Sequence, residues 1–144
     1  MKSEIQSVEV TYFIHGTEDE ERVTVTVKET LGINATPERE ELEGHFGNTI
    51  TSVRLRATGD EAGSVLARLS TFLGSEKERV REELPSLVDE HKSLYLRLSK
   101  QELMIGRAVM AGTDAIRIKV KPRSFMIGRE GVTAFYLRLL GGMP

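Results

Sequence analysis

Three segments of this chain alternate apolar and polar side chains with a period of two: SVRLRA at 52–57, SLYLRLS at 93–99 and AIRIKVKP at 115–122. Such alternation puts every second side chain on the same face of a strand, so each segment has one face to bury and one to leave in water. Half-exposed strands require a sheet with one covered face, and the intervening segments of helical periodicity supply the cover. The pattern predicts an α+β fold in two layers, a mostly antiparallel sheet with helices packed on one side. The 144 residues, 39% apolar and 29% charged, suit a single domain over 1–144 that folds by burial alone.

The remaining segments fit this plan. VEVTYFI at 8–14 reads as a strand ending before Gly16. Thr17 with Glu20 has capping-box spacing, and the acidic run 18–21 suits a helix start. VTVTV at 23–27 alone would read as strand, but Gly32 supplies a stop and Val23, Val27, Thr30 and Leu31 share one helical face, so a helix over 18–31 is expected. Residues 38–57 give two extended segments joined by a turn at 44–48. Two further capping spacings, Thr58 with Glu61 and Ser75 with Glu78, open two helices. The first carries Ala62, Val65, Leu66, Leu69, Phe72 and Leu73, and the second is ended or kinked by Pro85. A polar connection at 100–103 leads to GRAVMAG at 106–112, read as a strand. Val132, Phe135, Tyr136, Leu139 and Leu140 mark a last helix over 129–140 despite Gly131. The expected order is β-α-β-β-α-α-β-β-β-α.

Charge is divided along the chain. Up to His91 there are 10 Lys/Arg against 19 Asp/Glu, a balance of −9; beyond it 10 Lys/Arg face 3 Asp/Glu, a balance of +7. With helices on one side, Arg54, Arg56, Tyr95, Arg97, Arg117, Lys119 and Lys121 would share the open face, placing six cations and a stacking aromatic on one surface. Guanidiniums at strand spacing suit phosphate oxygens, and an aromatic among them suits a base. Arg107 and Arg123 would extend the patch from loops. The competing reading is a solvated face neutralised by Glu38, Glu40 and Glu41. At the turn, Gly44, Gly47 and Asn48 would let backbone N–H groups approach a sugar–phosphate chain, while His45 can fix the turn or meet an RNA phosphate.

Other chemistry finds little support. The chain has no Cys, which removes disulfides and thiolate sites and fits a cytoplasmic setting. No apolar run approaches a membrane span, and MKSEIQSVEV lacks the apolar stretch of a signal peptide. His15, His45 and His91 are scattered without metal-ligand spacing, and no phosphate-cradling loop, nucleophile elbow, zinc finger or RRM motif is present. Neither a cofactor nor a catalytic role is expected.

EGHFGNTI at 43–50 and SLYLRLSKQELMIGRAVM at 93–110 resemble the signature stretches of an archaeal family described as RNA-binding and exosome-linked. The resemblance runs over 8–140 and includes HGTEDEERV and IRIKVKP. Thr49 stands where the family has Pro, and Ser99 where it has Asp; the latter removes an acid beside Lys100 and would leave that surface more basic, adding Lys100 to the candidate contacts. The resemblance implies the fold of the ribosomal protein that holds 5S ribosomal RNA, a structured RNA as partner and a link to an RNA-processing complex. The rival reading is a protein-interaction or homodimer module, with the acidic part of one chain facing the basic part of another.

Overall fold

A computed structural model describes residues 4–43, 47–123 and 131–141 of the protein. Its elements are β1 (Ile5–His15), α1 (Glu20–Leu31), β2 (Glu38–Glu43), β3 (Thr49–Thr58), α2 (Gly59–Leu73), α3 (Glu76–Leu87), β4 (Leu94–Ser99), α4 (Lys100–Met104), β5 (Ala115–Pro122) and α5 (Val132–Leu139). The strands form one antiparallel sheet in the order β2-β3-β1-β5-β4, with the helices on one face, which is the expected α+β arrangement.

The period-two pattern decides which side is covered. Val8, Val10 and Tyr12 of β1, Val53, Leu55 and Ala57 of β3, Leu94, Leu96 and Leu98 of β4, and Ile116, Ile118 and Val120 of β5 are buried together. Helix α2 lies across β1 and β3 and buries Ala62, Val65, Leu66, Leu69 and Leu73 against them.

The conflict over VTVTV resolves as helix. Five β-branched residues cost roughly 0.5 kcal/mol each in helix propensity, whereas Val23, Val27 and Leu31, buried on one face of α1, contribute about 1.5–3 kcal/mol each. Thr24 joins that face because its hydroxyl shares a 2.7 Å hydrogen bond with the buried Tyr12 hydroxyl. The helix starts two residues later than expected. Its cap is Asp19, whose Oδ1 accepts from the Arg22 N–H at 3.1 Å, while Glu18 is engaged elsewhere. Gly32 ends the helix at φ +72°, and a Cβ there would sit 2.6 Å from Arg68 Cδ. That arginine crosses the helix end and donates to the Glu29 carbonyl at 2.6 Å.

Other expectations need correction. Neither Thr58 nor Ser75 makes a side-chain cap bond; Glu61 instead accepts from the Asn34 N–H at 3.0 Å. Helix α3 runs two residues past Pro85 and stops. The connection at 100–103 is helix α4, capped by Ser99. Residues 106–112 are no strand: they touch the sheet through a single bridge, Met110 with Leu98, beside bonds from Ser99 N–H to the Val109 carbonyl and from Ala111 N–H to the Arg97 carbonyl. Gly106, at φ +83°, turns the chain too sharply for a longer ladder. Gly131 precedes α5 rather than lying inside it, and the expected start of that helix at 129 falls outside the described residues.

Among the described residues, Lys100 is the one charged side chain that the fold buries. β5 pairs with β1 only as far as Thr11. Two residues on, the Phe13 carbonyl accepts from Lys100 Nζ at 2.7 Å. The same ammonium meets Glu18 Oε1 at 2.8 Å and Asp114 Oδ1 at 2.9 Å. These three partners match the three donors of a side chain only 2% exposed, so no polar atom of it is buried without a bond. The cluster joins β1, the turn before α1, the start of α4 and the loop before β5.

Lys100→Met is expected to lower stability by roughly 2–4 kcal/mol in urea unfolding, somewhat below the usual cost of breaking a buried pair because Glu18 and Asp114 can rehydrate; a loss under about 1 kcal/mol would show that the cluster does not hold these elements together. A second expectation concerns alkaline pH. Burial pushes the Tyr12 phenol up to about 12 from an ordinary 10.0, and burial likewise raises Tyr136. The folded state thus favours the protonated phenol, and its contribution is complete below pH 10 and lost as pH rises toward about 12. The urea midpoint should fall across that interval, less steeply in Tyr12→Phe.

Candidate nucleic-acid interface

On the uncovered face the register sets side chains in rows across the strands. Arg54, Thr11, Arg117 and Arg97 form one row from β3 through β1 and β5 to β4. Arg56, Glu9, Lys119 and Tyr95 form the next, and Lys121 lies opposite Ser7 beyond it. All seven residues expected on this face are brought together there. Sequence reasoning missed the middle of the face, Glu9, Thr11 and Phe13 of β1. Their positions were implicit in VEVTYFI, where an inward Val8, Val10 and Tyr12 leaves them outward, but that β1 is central follows only from strand order.

The face is electrically uneven. On the β2–β3 side Glu38 accepts from Arg54 Nη2 at 2.6 Å, and Glu40 lies opposite Ser52 on the same side. Hydrogen bonding to Arg54, reinforced by its charge, holds the Glu38 carboxyl below the ordinary range. Glu41 is opposite the buried Thr51 and so belongs to the helix side, as does Arg39, which donates from Nε and Nη2 along one guanidinium edge to both carboxylate oxygens of Glu20 of α1. On the β5–β4 side, among the described residues, no carboxylate pairs with Arg97, Arg117, Lys119 or Lys121. Two of these cations lie over aromatic rings, Arg117 at 5.6 Å from the Phe13 centroid and Lys119 at 5.7 Å from that of Tyr95. Such contacts orient a cation while leaving its hydrogen-bond donors available.

Tyr95 is 40% exposed, and near it Asp89 accepts the backbone N–H groups of His91 and Ser93. Burial would raise that carboxyl, but donors from Ser93, Tyr95 and His91 outweigh it and bring it below the usual range; the two backbone N–H groups lie at 2.9 Å. The ring of Tyr95 lies beneath Lys119, at the edge strand of the face.

The remaining candidates lie apart from these rows. Lys100 is a correction: its ammonium is buried in the cluster with Glu18 and Asp114 and cannot add charge to the face. Asn48 is exposed in the β2–β3 connection, six residues along the chain from Arg54, and His45 falls outside the described residues. Arg123 follows β5, half-buried, with its backbone N–H on the Glu4 carbonyl at 3.0 Å. Arg107 is exposed on the loop after α4, 3.9 Å from Glu102.

Comparison with known proteins identifies the family. A family profile described as RNA binding matches residues 7–122. RNA-binding protein PAB1135 of Pyrococcus abyssi is 29% identical over 139 residues, covering 91% of this chain and 90% of that protein. Among solved structures, Mth689, a DUF54 protein from Methanothermobacter thermautotrophicus, is 31% identical with a TM-score of 0.77, covering 94% of this chain and 98% of that one. Protein AF2318 from Archaeglobus fulgidus, of the same DUF54 family, is 26% identical with a TM-score of 0.79, covering 94% and 99%. The chain accordingly belongs to this RNA-binding family, with archaeal relatives along nearly its whole length.

Proposed function

We propose that the protein binds structured RNA without catalysis through its open sheet face, with the β5–β4 half as the main contact. The observation that carries this reading is the cross-strand placement of Arg97, Arg117, Lys119 and Lys121 on two adjacent strands, unneutralised among the described residues, beside the exposed ring of Tyr95. Neighbouring strands lie close enough for such a group to follow a sugar–phosphate chain, and counterion release would supply most of the affinity. The name of the Pyrococcus relative and the family description support the class of ligand. The likeness to the fold that holds 5S ribosomal RNA and to an exosome-linked family favours a structured RNA and a place in cytoplasmic RNA processing.

The test is RNA affinity by fluorescence anisotropy at two salt concentrations for the wild type and for Arg117→Ala/Lys119→Ala/Lys121→Ala. These side chains stand on the open face, so the circular dichroism spectrum should not change. We expect at least roughly a tenfold loss at low salt, and a salt slope shallower by about 0.7–0.9 for each phosphate contact removed. Unchanged affinity in the variant would move the interface off this face. Absence of wild-type binding at low salt, with a dimer that dissociates as salt rises, would instead support an interaction module.

A further inference from the structure

Beyond β4, at the edge of the sheet, the backbone is met at two points. Val88 bridges Leu94 at one end and Met110 bridges Leu98 at the other. Between them a cleft of about 540 Å³ opens beside Tyr95 and Arg97, bounded by Arg79 and Glu83 of α3, by Asp89, and by the loop through Gly112. Its walls are tied in place. The Met110 N–H donates to Glu76 at the start of α3 at 2.7 Å, and the Ala111 N–H to the Arg97 carbonyl at 3.0 Å.

Resting on the RNA-binding reading above, we propose that this cleft receives one unstacked nucleotide of the bound RNA, so that the ligand carries a bulge, loop or single-stranded end. The volume lies within the span of small-ligand pockets. Tyr95 and Arg97 belong at once to the cleft and to the cationic rows, so a chain whose phosphates follow Arg97 and Arg117 passes the cleft mouth. Tyr95, 40% exposed with Lys119 over its ring, offers an aromatic surface on which a base can stack. On the α3 wall Arg79 Nε bonds Glu83 Oε2 at 2.8 Å, an exposed pair that places a donor and an acceptor side by side, the combination that the polar edge of a base requires. A paired base inside a helix presents neither its face nor that edge; only an extruded one does.

Gly112 allows a test that leaves every cation in place. It lines the cleft, and a Cβ added there meets nothing within 4 Å, so Gly112→Leu fills space without strain. Two blunt-ended RNA duplexes that differ by one phosphate are compared, one fully paired and one with a single bulged 2-aminopurine, together with Tyr95→Ala as a second variant. The wild type should favour the bulged RNA by about five- to a hundredfold, the range of one base–aromatic stack, with quenched 2-aminopurine fluorescence. Gly112→Leu and Tyr95→Ala should bind the bulged RNA no better than the paired one and show no quenching. Equal binding of both RNAs by the wild type, or a preference and quenching that survive Gly112→Leu, would overturn the cleft assignment and leave the sheet-face reading intact. Failure of the wild type to bind either RNA would overturn both.

Discussion

β1 pairs along both of its edges, with β3 on one side and β5 on the other, and the placement of everything else follows from that double pairing. With its backbone groups engaged in the sheet, its side chains have only two directions available. Val8, Val10 and Tyr12 go to the helices, and Glu9, Thr11 and Phe13 go to water. Because the same parity propagates through the register, the arginines of β3 and the cations of β5 fall on one side without any contact between them to enforce it. Shifting β5 by one residue would exchange Ile116, Ile118 and Val120 for Arg117, Lys119 and Lys121 in the core, so apolar burial and the basic face are two consequences of one register.

The division of charge along the chain takes on a different meaning in three dimensions. The acidic part does not blanket the basic part. It neutralises its own arginines, Glu38 with Arg54 and Glu20 with Arg39, and reaches the C-terminal part at a few points, among them Glu18 with Lys100 and Glu4 with Arg138 at 2.7 Å. β4 and β5 keep their cations because the strand beside β5 offers them Glu9, Thr11 and Phe13, a single acid. Exposed pairs of this kind contribute little to stability, so their effect is on the field outside the protein. The field is concentrated on the half of the sheet where Tyr95 and the cleft also lie.

Lys100 and Lys119 show how the same side chain takes opposite roles. Lys119 stands in the middle of an alternating strand, where parity sends it to water over the ring of Tyr95. Lys100 follows β4 at the turn into α4, where the ladder between β1 and β5 has ended and a carbonyl needs a donor. Its three bonds offset the cost of removing an ammonium from water, and the chain gains a tie among four elements that no single apolar contact spans.

The sequence by itself determined the two-layer plan, the inward and outward parity of every core strand, the helical nature of most covering segments and the membership of all seven residues on the open face, because each depends on periodicity or on interactions within a few residues. It also carried the stop at Gly32, where a left-handed conformation excludes most other side chains. Tertiary structure decided what depends on distant partners. Strand order put Glu9, Thr11 and Phe13 at the centre of the face and left β4 with an open edge. Val23–Val27 became helix because Tyr12 and the core reward that face. The segment 106–112 met the β4 edge in one bridge, its Met110 N–H turned to Glu76 of α3, and Lys100 was buried because Phe13, Glu18 and Asp114, from three other parts of the chain, converge where β4 ends. Local periodicity reports which way a side chain points, whereas what it meets there is set by chain segments that the local pattern does not contain.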